Sequence, residues 1–305
     1  VQKIPYQTWK KFAFPILLAT MALLVLVFIP KIGFGTGKAV RWIALGPISL
    51  QPSEIAKLSF IIYLAAWLDQ RQKKIISFKE GLIPFLLATG LVAGLILFQP
   101  NLSAVGLIAI IAALIFFVAG GRLWQMLVIF FLGSGAFLCF INFFSHASAR
   151  FQSFLRPEVD PQGIGYQINQ AVLAIGSGGI FGRGLGQSLQ KYNYLPEVVG
   201  DSIFAIIAEE LGFIGAAILI ILFLILAWRG FLIAKKAPDN FGRLLAIGIV
   251  CWLVIQAFIN IGAISGLIPL TGVPLPFVSY GGSALVVNLV GIGILLNISK
   301  YTLKG

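Results

Sequence analysis

The stretch that decides the fold class is DSIFAIIAEELGFIGAAILIILFLILAW, residues 201–228. Its apolar run exceeds the roughly 20 residues that a helix needs to cross the hydrocarbon core of a bilayer. Seven other apolar runs follow the same rule, and no period-2 strand pattern competes with them. The sequence therefore predicts an all-α fold, a polytopic helical membrane protein with eight transmembrane helices in this chain. The predicted spans are residues 12–30, 52–69, 81–98, 102–119, 124–143, 201–228, 243–266 and 281–299.

The composition excludes several classes of protein. Of the 305 residues, 59% are hydrophobic and only 10% are charged, against about 25% charged residues in an ordinary soluble domain. A soluble enzyme, a disulfide scaffold and a disordered chain are excluded on this ground. The single histidine excludes a metal site built from several histidines. The net charge of +12 would indicate nucleic acid in a soluble protein, but here it indicates membrane topology, and we expect no nucleic-acid partner.

The basic residues also predict an orientation. Fourteen Lys and Arg residues lie in the segments on one side of the predicted spans, and seven, Lys31 and Lys38 among them, lie on the other. Loops rich in Lys and Arg stay in the cytoplasm, so both termini are expected there. The loops 31–51, 144–200 and 267–280 then face outward. We read 144–200, the longest of them, as a large ordered extracytoplasmic loop with an amphipathic helix at 165–177.

Five of the ionisable residues within the spans stand out: Glu54, Lys57, Asp201, Glu209 and Glu210. Such residues are costly in a membrane and tend to be functional. Glu54 and Lys57 are three residues apart and share a helix face. They are interpreted either as a self-neutralised structural pair or as a site where Lys57 offers positive charge to a phosphate-bearing ligand.

Asp201 stands at the outer end of its span. A carboxylate there is suited to capping the helix, and it is equally suited to act as a general base where the long loop meets the membrane. Glu209 and Glu210 lie deeper, and we expect them to pair with Arg or Lys from another helix.

Two stretches of the sequence are rich in glycine. GSGGIFGRGLG at 176–186 follows no strand and is expected to form flexible turns rather than a nucleotide site. The Pro/Gly-rich run 269–283 must line a cavity or be buried in protein if it lies at membrane depth. Its Ser279 then borders a substrate path, although a structural re-entrant turn explains the run almost as well.

At several positions the sequence resembles the SEDS family (shape, elongation, division and sporulation). The motifs that carry the resemblance run in order along the whole chain: RW at 41–42, QPSE at 51–54 with Lys57, QPNL at 99–102, LPE at 195–197, Asp201, EELG at 209–212, Asn260, and PLTGVPLPFVSYGGSA at 269–284. The family has ten transmembrane helices, so the eight here are expected to correspond to its third to tenth, in a single domain over residues 1–305. The closing stretch is most similar to the division branch (FtsW-like), against the elongation (RodA-like) and sporulation (SpoVE-like) branches.

The resemblance implies a peptidoglycan glycosyltransferase that polymerises lipid II at the outer face of the bacterial cytoplasmic membrane. It implies that Asp201 deprotonates or orients the acceptor hydroxyl. A lipid diphosphate leaves in this reaction, and Arg41 and Lys57, or a divalent cation such as Mg²⁺ or Mn²⁺, would stabilise its charge. Gln51, Glu54, Glu197 and Ser279 would complete the substrate site. Family members act with a class B penicillin-binding protein, a transpeptidase.

The chain departs from the family pattern at two places near the implied site. Asn101 stands where the family usually has Asp, and Val199-Gly200 stands where His-Thr is usual. These departures bear on the hydrogen bonding around the site rather than on the assignment of Asp201.

Two other classes of function stay open at this stage. A transporter, such as a lipid II flippase, would also use buried charges and a broken helix, and a non-catalytic scaffold would only recruit a transpeptidase. A transporter is expected to hold its key charges near the midplane of an internal repeat, whereas an enzyme acting outside is expected to hold its base at the outer face. The position of Asp201 favours the enzyme.

Overall fold

The computed structural model describes residues 1–30, 32–36, 39–46, 48–143, 145–156, 163–192 and 194–302. Lys31 and Lys38, two of the basic residues that were used to predict orientation, lie outside the described residues, as do parts of the predicted outer loop 144–200.

The described chain is mostly helical. Its α-helices are α1 (Tyr6–Leu26), α2 (Pro52–Gln70), α3 (Ile83–Leu97, preceded by a π-helical turn Phe78–Leu82), α4 (Leu102–Val118), α5 (Leu123–Phe143), α6 (Ser145–Leu155), α7 (Ile164–Ser177), α8 (Ile203–Lys235), α9 (Asn240–Ile264) and α10 (Gly282–Thr302). Every one of the eight predicted spans falls on one of these helices.

Six of the helical segments in the described residues are long and apolar enough to cross a membrane: Tyr6–Leu26, Phe78–Leu97, Leu123–Asn142, Ile203–Lys235, Asn240–Ile264 and Gly282–Thr302. α4 is apolar but shorter, and α2 carries ionisable residues in a run that is buried on nearly all sides. A polytopic helical fold is therefore confirmed in its coarse form.

The sequence did not predict strands in the segment 31–51, which it assigned to an outward loop. Strands β1 (Gly33–Thr36), β2 (Ala39–Leu45) and β3 (Ile48–Leu50) form an antiparallel sheet in the order β1-β2-β3. Ile43 pairs with Gly33 of β1 and with Leu50 of β3, and the β1–β2 register shifts between Phe34 and Gly35. Strands of three to seven residues offer too few alternations for a period-2 pattern to stand out, although the Val, Trp and Ile of β2 favour a strand.

The chain forms two compact units. Unit 1 comprises Val1–Gly133, Ala227–Leu253 and Gly282–Gly305, and unit 2 comprises Ser134–Leu226 and Val254–Gly281. In unit 1, α2 packs against α1, α4 and α10. Because α2 is enclosed by other helices, its polar side chains Glu54 and Lys57 are held away from lipid.

The core of unit 2 joins α7, α8 and α9. Ile168 and Ala171 of α7 pack in one cluster with Phe204 of α8 and Ile261 of α9. The amphipathic helix that was predicted at 165–177 is thus confirmed as α7, and its apolar face packs on its neighbours. Close packing of these side chains holds the start of α8 against α9.

The glycine run before α8 packs closely against that helix. A Cβ atom on Gly182 would lie 2.2 Å from the carbonyl oxygen of Glu210, and one on Gly212 would lie 2.3 Å from the nitrogen of Gly182. Gly212 has φ +67° and kinks α8 at this contact. The prediction of flexible turns is therefore incomplete: positive φ at Gly182 fits a turn, but the missing Cβ atoms mainly permit backbone to touch backbone.

Candidate active site

Asp201 lies in the turn that leads into α8, just outside the apolar helix itself. The carbonyl oxygen of Glu197 accepts hydrogen bonds from the amides of Gly200 (3.0 Å) and Ser202 (3.2 Å). The Ser202 hydroxyl donates back to the carbonyl of Pro196 at 2.8 Å. Glu197 has φ +52°, a left-handed conformation that closes the turn. Short local bonds thus fix the backbone that carries Asp201.

A second set of contacts holds the same turn from α9 and from the Pro/Gly-rich segment that follows it. The buried Asn260 amide donates to the carbonyl oxygens of Asp201 (2.8 Å) and Val273 (2.7 Å). The Ser279 hydroxyl donates to the carbonyl of Gly200 at 2.6 Å and accepts from the amide of Leu275 at 2.7 Å. The run 269–283 therefore acts at least in part as a brace for the Asp201 turn.

The surroundings of Asp201 suit a base that works near neutral pH. Burial, together with the nearby Glu197 carboxylate, raises the pKa of Asp201 to about 6, although the Arg150 guanidinium opposes the shift. Its Oδ1 atom is buried and accepts no hydrogen bond from the described residues. A carboxylate with an unused oxygen and a pKa near the working pH can take a proton from a hydroxyl group.

Asn260→Leu is expected to lower both stability and activity. The substitution leaves two backbone carbonyls without their donor, at a cost of about 1–3 kcal/mol for each group that stays buried, and frees the Asp201 turn to move. We expect a lower melting temperature in detergent and at least about a tenfold loss of the glycosyl transfer that the resemblance implies. Asn288→Leu is the matched control, since Asn288 is equally buried but belongs to α10. Equal loss of activity in both variants would contradict the bracing role.

Arg150 of α6 is the residue that the sequence did not single out. Its Nη1 donates to the carbonyl of Thr271 at 3.1 Å, and burial lowers its pKa while the charge of Asp201 raises it. In the sequence it is one more basic residue of an outer loop. No spacing rule connects it to Asp201, 51 positions later, so only the fold shows that the two charges are neighbours.

Glu54 and Lys57 form an ion pair in unit 1. Their side chains are 6% and 2% exposed, and Lys57 Nζ lies 2.8 Å from a Glu54 carboxylate oxygen. The same Nζ lies 5.5 Å from the centre of the Trp252 ring, within the range of a cation–π contact. The pairing that the spacing predicted is confirmed. It supports the structural interpretation, while a phosphate-binding role for Lys57 stays a prediction.

Arg41 of β2 holds the turn between α3 and α4. Its guanidinium donates from Nε to the carbonyl of Gln99 at 3.0 Å and also to the carbonyl of Pro100. Asn101, one of the two departures from the family pattern, caps α4 by accepting from the Ala104 amide at 3.3 Å. Asn and Asp cap helices about equally well, so the absent charge at this position leaves the cap intact.

Gln51 precedes α2 and belongs to unit 1 as well. Its amide donates to the Ser283 hydroxyl at 3.1 Å, and that hydroxyl donates to the carbonyl of Ser49 at 3.0 Å. Unit 2 thus brings together Asp201, Glu197 and Ser279, while unit 1 holds Arg41, Gln51, Glu54 and Lys57.

Glu209 and Glu210 pair with basic residues as expected, but those residues come from the segment before α8 rather than from another helix. The Glu209 carboxylate accepts from the Ser188 hydroxyl at 2.5 Å and lies 3.7 Å from Arg183 Nε. Glu210 lies 2.9 Å from Lys191 Nζ. These contacts fasten the loop to α8.

The described residues contain no group of three or more His, Cys, Asp or Glu that could hold a metal ion. Asp201 and Glu197 are the two carboxylates near the turn. Two carboxylates without a third protein ligand do not make a metal site on their own, so a bound divalent cation stays a prediction.

Comparison with known proteins places the chain in a family. Residues 1–304 match the family described as "Cell cycle protein", which covers FtsW, RodA and SpoVE. Stage V sporulation protein E of Bacillus subtilis is 42% identical over 99% of this chain and 82% of its own length. Probable peptidoglycan glycosyltransferase FtsW of Trichlorobacter lovleyi is 44% identical over 97% of this chain and 78% of its own.

Solved structures agree with this result. A chain of the structure described as "Structural coordination of polymerization and crosslinking by a peptidoglycan synthase complex" has a TM-score of 0.82 and 29% identity, covering 100% of this chain and 85% of that one. The rod shape determining protein RodA of Thermus thermophilus has a TM-score of 0.71 and 29% identity, covering 98% of this chain and 81% of that one. The chain therefore belongs to the FtsW/RodA/SpoVE family, the SEDS family that its motifs resemble.

Proposed function

We propose that this protein is a peptidoglycan glycosyltransferase that polymerises lipid II and that Asp201 is its general base. The observation that carries the proposal is a half-buried carboxylate with an unused oxygen, fixed in a braced turn at the start of a membrane helix. A relative named as a probable peptidoglycan glycosyltransferase, 44% identical over 97% of this chain, supports the reaction class.

The proposed step is a single displacement at the donor sugar. Asp201 accepts the proton of the acceptor hydroxyl as its oxygen bonds to the anomeric carbon of the donor. The bond from that carbon to the lipid diphosphate breaks, and the diphosphate leaves with the electron pair. The proton on Asp201 then passes to solvent. A correctly placed general base contributes about 10²–10⁴ to the rate of such a step.

The leaving diphosphate needs compensating positive charge. Arg41 and Lys57 are the proposed donors of that charge, and Gln51 and Glu54 are proposed to complete the substrate site. The contacts of Arg41 with backbone carbonyls and of Lys57 with Glu54 support structural roles for both as well. A divalent cation that arrives with the diphosphate would supply the same charge stabilisation when bound.

The proposed topology has eight transmembrane helices in this chain, α1 to α5 and α8 to α10, all within a single family domain. Both termini then face the cytoplasm, and 144–200 is the large extracytoplasmic loop. This orientation places Asp201 at the outer face, where lipid-linked precursors are polymerised. The excess of Lys and Arg in the segments on the opposite side supports it.

The proposed partner is a class B penicillin-binding protein, which would crosslink the glycan strands that this protein makes. Structural similarity to a chain from a peptidoglycan synthase complex supports such an assembly. Within the family we propose a role in cell division, in keeping with the FtsW relatives.

The test is a polymerisation assay with the purified protein and its penicillin-binding partner in liposomes. Labelled lipid II is supplied on both sides of the liposome membrane, and the products are separated on a gel. Glycan polymer that depends on Asp201 supports the proposal. Movement of lipid II across the bilayer without polymer would instead favour the flippase, and neither activity would favour the scaffold.

A further inference from the structure

Arg150 and Asp201 face the same small space in unit 2. A Cβ atom built on Gly272 would lie 3.5 Å from Arg150 Nη2 and 3.5 Å from Asp201 Oδ2. The guanidinium is fixed on its other side by the Thr271 carbonyl. Gly272, with φ +65° and no side chain, therefore leaves open the space that borders both charged groups.

Among the described residues, Arg150 and Asp201 do not form an ion pair with each other. The Arg150 Nε and Asp201 Oδ1 atoms are both buried and make no hydrogen bond within the described chain. Arg150 Nη2 and Asp201 Oδ2, the atoms that border the space at Gly272, are a donor and an acceptor, so one group placed between them bonds to both.

A hydroxyl group can bond to both the Arg150 guanidinium and the Asp201 carboxylate. It donates its hydrogen to a carboxylate and accepts a hydrogen bond from a guanidinium through its oxygen. A phosphate would satisfy the guanidinium but would be repelled by the carboxylate. The gap therefore favours a neutral, hydroxyl-bearing ligand such as a sugar over an anionic one.

We propose that the space bordered by Arg150, Gly272 and Asp201 is the slot for the acceptor hydroxyl, and that Arg150 is the catalytic residue that donates a hydrogen bond to its oxygen. This rests on the proposed function, which it deepens by naming the acceptor site. Arg150 holds the sugar oxygen while Asp201 takes the proton. The positive charge also favours the ionised form of Asp201.

Other groups around Asp201 do not duplicate this charge. Among the described residues, the charged groups that act on Asp201 are Arg150 of α6 and Glu197 of its own turn. The contacts from α9 and from the segment after it come from the neutral Asn260 and Ser279. Removing Arg150 thus leaves only negative charge near the base.

The first test compares Arg150→Gln and Arg150→Lys in the lipid II assay across pH 5–9. Arg150→Gln removes the charge, so we expect the acid limb of the rate profile to move up by about one pH unit. Arg150→Lys keeps the charge but lacks the rigid, planar set of guanidinium donors. We therefore expect a slower rate, with the acid limb of the profile at the same pH as in the wild type. A purely structural role would lower the rate equally at every pH, and that outcome for Arg150→Gln overturns the proposal.

The second test fills the slot. Gly272→Ala places a methyl group between the two charged groups and should reduce polymerisation by at least about tenfold. Gly266→Ala is the matched control, because Gly266 has a similar φ of +72° but its Cβ would meet only Ile168 and Val172. Equal activity of the two variants at equal melting temperature overturns the slot. Polymerisation by Asp201→Asn at the wild-type rate would instead overturn the proposed function itself.

Discussion

Replacing Asp201 by Asn is expected to slow glycan polymerisation by about 100-fold or more, because an amide cannot accept the proton of the acceptor hydroxyl. The fold should survive the change. The bond from Asn260 goes to the backbone carbonyl of residue 201, and the Oδ1 atom has no hydrogen-bond partner to lose. The melting temperature in detergent should therefore stay close to that of the wild type, since the lost repulsion from Glu197 offsets the lost attraction to Arg150.

The rate is best measured as the initial formation of labelled glycan polymer from lipid II. Asp69→Asn is the matched control: it removes a carboxylate whose ion pair with Lys10 is partly exposed and worth at most about 1 kcal/mol. We expect this variant to polymerise normally. A well-folded Asp201→Asn protein that polymerises within a few-fold of the control would mean that another group takes the proton.

Replacing Lys57 by Met is expected to produce the largest loss of stability in unit 1. The change leaves the Glu54 carboxylate buried beside an apolar side chain, and removing one partner of a buried ion pair costs about 3–5 kcal/mol. The double change Glu54→Gln with Lys57→Met should recover most of that loss, because no uncompensated charge remains. Thermal unfolding in detergent measures both effects.

The double variant also separates the two interpretations of Lys57. If it folds and polymerises lipid II, the pair is structural. If it folds but does not polymerise, Lys57 contributes charge to the substrate. If the Lys57→Met protein is as stable as the wild type, the expected cost of leaving the Glu54 carboxylate buried and unpaired is wrong.

Much of the helical framework could be predicted, because hydropathy depends only on local composition. Each predicted span falls on a helix, and Glu54 and Lys57 pair at the spacing that helix geometry requires. The small sheet of β1 to β3 escaped prediction because its strands are short and are stabilised by pairing with one another.

The sequence alone identified only part of the candidate site. Asp201 stands out as a charge at the start of an apolar run, so one sequence position reveals it. Arg150 does not, since its role depends on contacts with Thr271 and the space at Gly272, which are distant in sequence. Ser279 was predicted from a polar side chain in a broken segment, yet its hydroxyl also braces the backbone of the Asp201 turn.

The pH dependence of the wild-type rate tests the role of Asp201 most directly, because it reports the proton on the base without altering the chain. Initial polymerisation rates between pH 5 and 8 should be set against the residual rate of Asp201→Asn. Burial raises the pKa of Asp201 to about 6, and only the ionised carboxylate can accept a proton. The rate should therefore fall as the pH drops through about 6, approaching tenfold per unit below it, and this limb should be absent from Asp201→Asn. A rate that stays constant down to pH 5, or an identical limb in the variant, would contradict Asp201 as the general base.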